Sequence, residues 1–526
     1  MRMNRNLVKK YRITWENFYT FRRINNLRER SESRMRNGVI YYCFRNILPS
    51  MVGSLLSLVI IVLVQFEQTA ARLDFKHHTN AELRKYLINV NRRYPDITHL
   101  HSIGNSVEGN PLLVLKISES VHKHSILKPH IKYIGNIHGN EVVGRELLLH
   151  LIDYLVTNYR RNSTVTRILQ TSVVHILPTI NPDGYARATL GDCNSVVGRY
   201  NRRMSDLNRN FNENPASAKK IEPETRAIMN WIRSNTFVLS ASFHGGAVVV
   251  NYPFDYTRGN MDKMAYSKSP DDDVFVYLAL NYSRSHHDMH HSINCSANEY
   301  FKDGITNGAA WYPLKGGMQD YNYYHGVMEI TVELSCCKYP PAETLQVYWE
   351  KNKRALINYL QLVHMGVKGL IMDESGNPVF RAKLSIDDRY ITFRSSKFGE
   401  YWRLLLPGNY ILKVKARGFR DYLSQPFRVI AGRVHRLDVV LTRRNSLTTN
   451  RRKSQKTTSL LREVTTQNML GIKGATKPMK TTQQHTQKVV VNSHEDKLSK
   501  AHTSQALRPS TYFLQWAFLF TFTQFL

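Results

Sequence analysis

One stretch constrains this chain more than any other: Ile131 to Val156, IKYIGNIHGNEVVGRELLLHLIDYLV. Tyr133-Ile134-Gly135 opens it as an apolar run that reads as a buried strand. Leu147, Leu148, Leu151, Ile152 and Leu155 close it at helical spacing. His138-Gly139-Asn140-Glu141 stands between them, so the turn from strand to helix carries an imidazole and a carboxylate three residues apart. Both side chains can aim at one point. Groups of these types are what zinc takes when one coordination position stays open for water. Two ligands do not make a site, and the remaining groups must come from elsewhere in the chain.

Around this stretch, residues 74–365 alternate strand-like and helix-like runs, the pattern of an α/β domain. Ser172 to Ile180 reads as a strand ending in an Asn181-Pro182-Asp183-Gly184 turn. Pro223, flanked by Glu222 and Glu224, opens a helix through Ile228 and Ile232, with the acids at its positive end. Phe237 to Phe243 is a strand that ends at His244-Gly245-Gly246. Met328 to Leu334 alternates, with Met328, Ile330, Val332 and Leu334 on one face and Glu329, Thr331 and Glu333 on the other. A helix from Ala342 to about Val363 closes the domain. From Val367 the texture changes to short strands, such as Tyr410 to Val414, broken by regular turns. That pattern predicts a small all-β sandwich over 366–442.

The formal net charge of +32 suggests a nucleic-acid partner until it is located. Residues 1–46 hold twelve Lys/Arg against three Glu, and 443–510 hold fourteen against three acids, so these two segments carry twenty of the 32 charges. Both read as solvated, disordered segments, and the rest of the chain shows no basic block or basic–aromatic stripe, which argues against nucleic-acid binding. Ile47 to Phe66 is apolar and is followed by Glu67-Gln68-Thr69-Ala70-Ala71, small at its end as signal cleavage requires. It reads either as a signal anchor or as a cleaved signal peptide, and both deliver the downstream chain to the outside. Cys193, Cys295, Cys336 and Cys337 form an even set downstream of it. Adjacent Cys336 and Cys337 cannot easily bridge each other, so two pairings remain. With sequons at Asn162, Asn281 and Asn294, the cysteines favour an oxidising compartment. Thr511 to Leu526 is an apolar tail preceded by Ser499-Lys500-Ala501 and a polar spacer, the pattern of a lipid-anchor signal.

His244, at a strand end before two glycines, is the third candidate metal ligand. Arg199, Asn208 and Arg209, in GRYNRRMSDLNRNF, supply two guanidiniums and an amide, suited to a substrate that ends in a carboxylate. Glu333, opposite its apolar neighbours, is a candidate general base. For Arg202 and Arg203 a place on the solvated surface suffices.

HGNE, NPDG, DLNRNF, SFHGG, DGITNGAAWY, GGMQDYNY and TVELSCCKYP resemble, in this order, the zinc metallocarboxypeptidases of the N/E, or regulatory, subfamily. The resemblance covers about residues 74–442. It implies a mixed-sheet α/β catalytic domain over 74–365 followed by a transthyretin-like β-sandwich. It implies one Zn2+ per chain on His138, Glu141 and His244, with Glu333 as the base. Asn208 and Arg209 would bind the substrate's terminal carboxylate, and Arg199 would polarise the scissile carbonyl. Tyr312 would close over the bound residue. Asp255 and Gln319 would line the pocket for its side chain, selecting peptides that end in Lys or Arg. Cys193–Cys337 and Cys295–Cys336 are the implied bridges, and a lipid-anchored subfamily member supports the anchor reading of the tail. The expected protein is a monomer held to a membrane by its terminal anchor. One departure is Phe211-Asn212-Glu213, where the subfamily usually has Phe-Pro-Asp; it alters a loop flank and leaves the ligands untouched. The alternatives are a non-catalytic binding or adhesion module, against which the full residue set argues, and a zinc deacylase, which would need neither the Asp255 pocket nor the sandwich.

Overall fold

The computed structural model describes residues 73–212, 220–256, 264–297 and 299–444. The leader 1–46, the apolar segment 47–71, Glu213, all of the tail beyond 444 and the apolar end 511–526 lie outside the described residues. Eight strands form the main sheet: β1 (Thr98–Asn105), β2 (Pro111–Ile117), β3 (His130–Gly135), β4 (Val173–Leu177), β5 (Phe237–His244), β6 (Val248–Tyr252), β7 (Ile305–Asn307) and β8 (Met328–Leu334). Their order is β1-β2-β4-β3-β5-β8-β6-β7. The central strands β4, β3, β5 and β8 run parallel. Antiparallel pairs β1–β2, β2–β4 and β6–β8 flank them, so the sheet is mixed. Because β3, β5 and β8 are parallel, their carboxyl ends share one edge. The register sets Gly135 beside Phe243 and His244 beside Glu333.

Helices longer than one turn cover the sheet: α1 (Asn80–Arg93), α2 (Val143–Asn158), α3 (Ser163–Thr171), α4 (Pro223–Ser234), α5 (Asp272–Ser285), α6 (Met318–Tyr324) and α7 (Leu345–Gln361). α1 starts in a capping box, in which Thr79 accepts the Glu82 N–H and Glu82 accepts the Thr79 N–H. It buries Leu83, Leu87 and Val90, a stripe at helical spacing. α2 is buried over most of its circumference, and its leucines join β3, β5 and β8 in one continuous core.

The strand expected over Ser172 to Ile180 stops at Leu177, because Pro178 has no N–H to give the ladder. The expected turn at Asn181 is the first turn of a short helix, Pro182–Tyr185, in which the Asn181 side chain accepts the Gly184 N–H. Two sequons have structural roles that a triplet cannot show. Asn162 caps α3 by accepting the Val165 N–H, and Asn281 lies inside α5 with its Oδ1 buried rather than on a loop. Both expected bridges are formed, Cys193–Cys337 and Cys295–Cys336.

Ten short strands between Val367 and Leu441 make up the β-rich region, with Val367, Ile371, Leu384, Ile386, Leu412 and Val414 in its core. The single strand expected over Tyr410 to Val414 is divided at Ile411. Gly408–Tyr410 pairs with Phe427–Val429, while Leu412–Lys415 crosses to pair with Lys383–Ile386. Ile391, Trp402 and Leu404 of this region extend the core of the α/β part. No helix among the described residues is long and apolar enough to cross a membrane.

Candidate metal and substrate site

The His-Gly-Asn-Glu turn is held from inside by Asn136. This residue adopts a positive φ of 59° directly after β3. From there its Nδ2 donates to the carbonyls of His138 (3.0 Å), Gly139 (2.9 Å) and Glu141 (3.1 Å). Thr179 donates to the Asn136 Oδ1 at 2.8 Å and fixes the amide's orientation. Gly139 is required for space, since a Cβ there would lie 2.2 Å from the Tyr185 nitrogen. Asn181 completes the clamp, donating to the carbonyls of Ile137 and Arg199.

His138, Glu141 and His244 then converge. One potential ligand atom from each lies within 4.8 Å of the others, and all three residues are buried. Glu141 faces His138 Nδ1 at 2.8 Å through Oε1 and His244 Nδ1 at 2.9 Å through Oε2. Burial works against its charge, but the two imidazoles outweigh burial and hold the carboxyl well below the usual range. The far nitrogen of His138, Nε2, meets Asp206 Oδ1 at 3.2 Å, a carboxylate partner that orients the ring. Two imidazoles and a carboxylate around one buried point fit zinc with an open position.

Glu333 stands next to this cluster, with Oε1 4.0 Å from His244 Nδ1 and Oε2 buried without a partner among the described residues. Burial pushes it up to about 8, with Glu141 adding to the shift and His244 and Arg199 opposing it. Arg199 reaches Glu141 Oε1 at 3.4 Å and is braced by Asp206 at 2.9 Å. Tyr312 is partly accessible, 36% exposed. Burial and then Glu333 raise its phenol above the ordinary value, with Arg209 opposing.

A second buried cluster gathers Asn251, Asp255, Gln319 and Asp320. Gln319, on α6, donates to Asp255 Oδ1 at 2.8 Å and to Asn251 Oδ1 at 3.3 Å. Its own Oε1 is buried without a partner among the described residues. Asp320, next on the helix, accepts the Asp255 N–H on both oxygens at 3.0 and 3.1 Å. Burial pushes Asp255 up to about 7, while Asn251 and Arg209 pull it down. Asn208 accepts the Met318 N–H at 2.9 Å and so holds the start of α6. Arg209 donates to the Asn208 carbonyl at 2.9 Å.

The ten residues singled out in the sequence therefore form two adjoining clusters. Arg199 and Tyr312 border the first; Asn208 and Arg209 border the second. Sequence reading missed Asn136, Asp206, Asn251 and Asp320. Asp206 was visible as an acid two residues before Asn208, but nothing local says that it meets His138, which is 68 positions away.

A buried His-Glu-His cluster at the carboxyl ends of parallel strands, beside a further buried carboxylate, is the architecture of a metallohydrolase. The comparisons narrow the class. The zinc carboxypeptidase model matches residues 83–355, and the carboxypeptidase regulatory-like domain matches 366–442. Carboxypeptidase M of Mus musculus is 45% identical over 380 residues, covering 69% of this chain and 85% of that protein. The catalytic chain of carboxypeptidase N of Rattus norvegicus is 44% identical over 376 residues, covering 66% of this chain and 82% of that protein. Carboxypeptidase D of Mus musculus is 46% identical over 352 residues, 66% of this chain but 25% of that longer protein. The chain belongs to the zinc carboxypeptidase family and is a metallocarboxypeptidase.

Proposed function

We propose that this enzyme removes C-terminal Lys or Arg from peptides and proteins, using one zinc ion per chain on His138, Glu141 and His244. The observation that carries the specificity is Asp255: a buried carboxylate beside Gln319, whose Oε1 has no partner among the described residues. An ammonium or guanidinium entering the pocket would satisfy both acceptors. A neutral side chain would leave them unpaired, at roughly a few kcal/mol.

Zinc, when bound, supplies a Lewis acid and makes water nucleophilic near neutral pH. Glu333 takes the proton from the attacking water and later hands it to the leaving amine. A cation held on the three ligands would favour the carboxylate form of Glu333 over the acid and so bring it into the range of a base. Arg199, braced by Asp206, faces the oxyanion that develops on the scissile carbonyl, where a preorganised donor contributes most. Asn208 and Arg209 hold the substrate's terminal carboxylate, and Tyr312 closes the rim. Cleavage at the last residue is the consequence, because Arg209 requires a free carboxylate within reach of the Asp255 pocket.

A panel of peptides differing only in the C-terminal residue, assayed with and without chelator, tests the proposal. Activity on Lys and Arg ends that is lost with chelator and restored by zinc is expected. Preference for Phe or Leu ends would overturn the pocket assignment. We also propose that the enzyme acts as a monomer outside the cell, in keeping with its two disulfides. Release of cell-surface activity by a phosphatidylinositol-specific phospholipase tests the glycolipid anchor expected from 499–526.

A further inference from the structure

Asp271, fully buried just before α5, joins the two parts of the chain. Its carboxylate accepts from two arginines of the β-rich region. Arg389 Nη1 donates to Oδ1 at 2.8 Å, and Arg403 Nη2 donates to Oδ2. On the catalytic side, the Tyr323 hydroxyl donates to Asp271 Oδ2 at 2.6 Å, and the Asp271 N–H donates to the same hydroxyl at 3.1 Å. Tyr323 stands four residues after Gln319 on α6. Its ring also packs on Phe254, immediately before Asp255, with centroids 5.5 Å apart. A Cβ at Gly326, just beyond α6, would lie 2.8 Å from the Phe393 Cβ, so the two parts meet there without slack.

Arg403 is buried with Nε and Nη1 unpartnered among the described residues, so Asp271 carries its charge. Such a pair is a poor stabiliser compared with apolar packing, but it holds one relative placement. α6 is then fixed at both ends. Asn208 holds its start, and the Asp271 network holds its end. The residues between them, Gln319 and Asp320, are those bonded to Asp255.

We infer that Arg389 and Arg403 of the β-rich region are positioning residues for the side-chain pocket, acting through Asp271 and Tyr323 on the helix that carries Gln319 and Asp320. The inference deepens the proposed specificity and rests on it. Tyr323→Phe keeps the ring and removes only the hydroxyl, and Arg389→Gln removes one cation at a partly accessible place. Both are suited to folding normally where Arg403→Ala is not. Each variant should raise KM for Arg-ended peptides about fivefold, leave kcat within about twofold, and leave Ala-ended peptides unchanged. Arg389→Lys should restore most of the loss. A lower Tm in Tyr323→Phe and Arg389→Gln with the Arg-to-Ala selectivity of wild type would overturn the inference and leave the network a structural one. The wild-type panel reports separately on the pocket: if wild type shows no preference for basic ends, the specificity reading fails first.

Discussion

Glu333 carries a proton in the proposed chemistry and does not belong to the ligand cluster, and the two roles separate experimentally. Glu333→Gln preserves size and burial but cannot accept a proton. Zinc content should stay near one per chain by metal analysis while kcat falls by about 10²–10⁴. Loss of zinc together with activity would make Glu333 a ligand. Asp255 supplies a second test at the same scale, in pH. Burial holds its pKa at about 7, so in the free enzyme the carboxylate forms as pH rises through that value. A cationic substrate end binds the ionised form. KM for a Lys-ended peptide should therefore fall from pH 6 to pH 8, while KM for an Ala-ended peptide should not track it. Parallel profiles for the two peptides would mean that Asp255 does not face the substrate side chain. In Asp255→Ala the preference for basic ends should collapse, with comparatively little change on apolar ends.

At the scale of elements, the proposed side-chain pocket depends on a close backbone approach by the short helix Gly308–Trp311. A Cβ on Gly308 would lie 2.1 Å from Asp255 Oδ1, so Gly308→Ala must displace the acid. The expected result is a rise in KM of about tenfold or more for Arg ends, with chelator-sensitive turnover of Ala ends kept. Steady-state kinetics on both peptides decides it. Much of this site was legible in the sequence because its first groups sit on one local pattern. His138 and Glu141 lie three apart on a strand-to-helix turn, and His244 and Glu333 lie near the carboxyl ends of two strands with a readable apolar pattern. Pairing across the sheet was not legible. The strand face bearing Glu329 reads as polar, but that Glu329 meets Lys132 Nζ at 2.7 Å depends on a register between residues 197 positions apart. The break at Ile411 is hidden for a similar reason: local alternation is the same whether a strand stays in one sheet or crosses to the next. Asn136 was missed because an asparagine after a strand reads as an ordinary turn residue.

At the scale of the whole molecule, both disulfides land on adjacent residues immediately beyond β8, the strand that carries Glu333. Cys337 reaches back to Cys193, six residues before Arg199, and Cys336 reaches Cys295 in the segment before β7. The bridges thus tie the exit of β8 to the loop of Arg199 and to the far edge of the sheet. The Gly246 N–H donates to the Ser335 carbonyl at 2.7 Å, and the Val142 N–H donates to the Lys338 carbonyl at 3.0 Å, so this short segment also braces the residues after His244 and Glu141. The bridges close segments of 144 and 41 residues. Loop-closure entropy makes each worth about 4–5 kcal/mol, the longer one about 1 kcal/mol more than the shorter. Removing either pair by Cys→Ala substitution at both positions should lower stability by amounts of that order in urea unfolding. The two double variants should differ more in catalysis than in stability. Loss of Cys193–Cys337 frees the loop of Arg199 and should lower kcat, whereas loss of Cys295–Cys336 leaves that loop tied and should spare it. Equal kcat in the two variants, with both proteins folded and loaded with zinc, would show that the Cys193 bridge holds the fold without positioning Arg199.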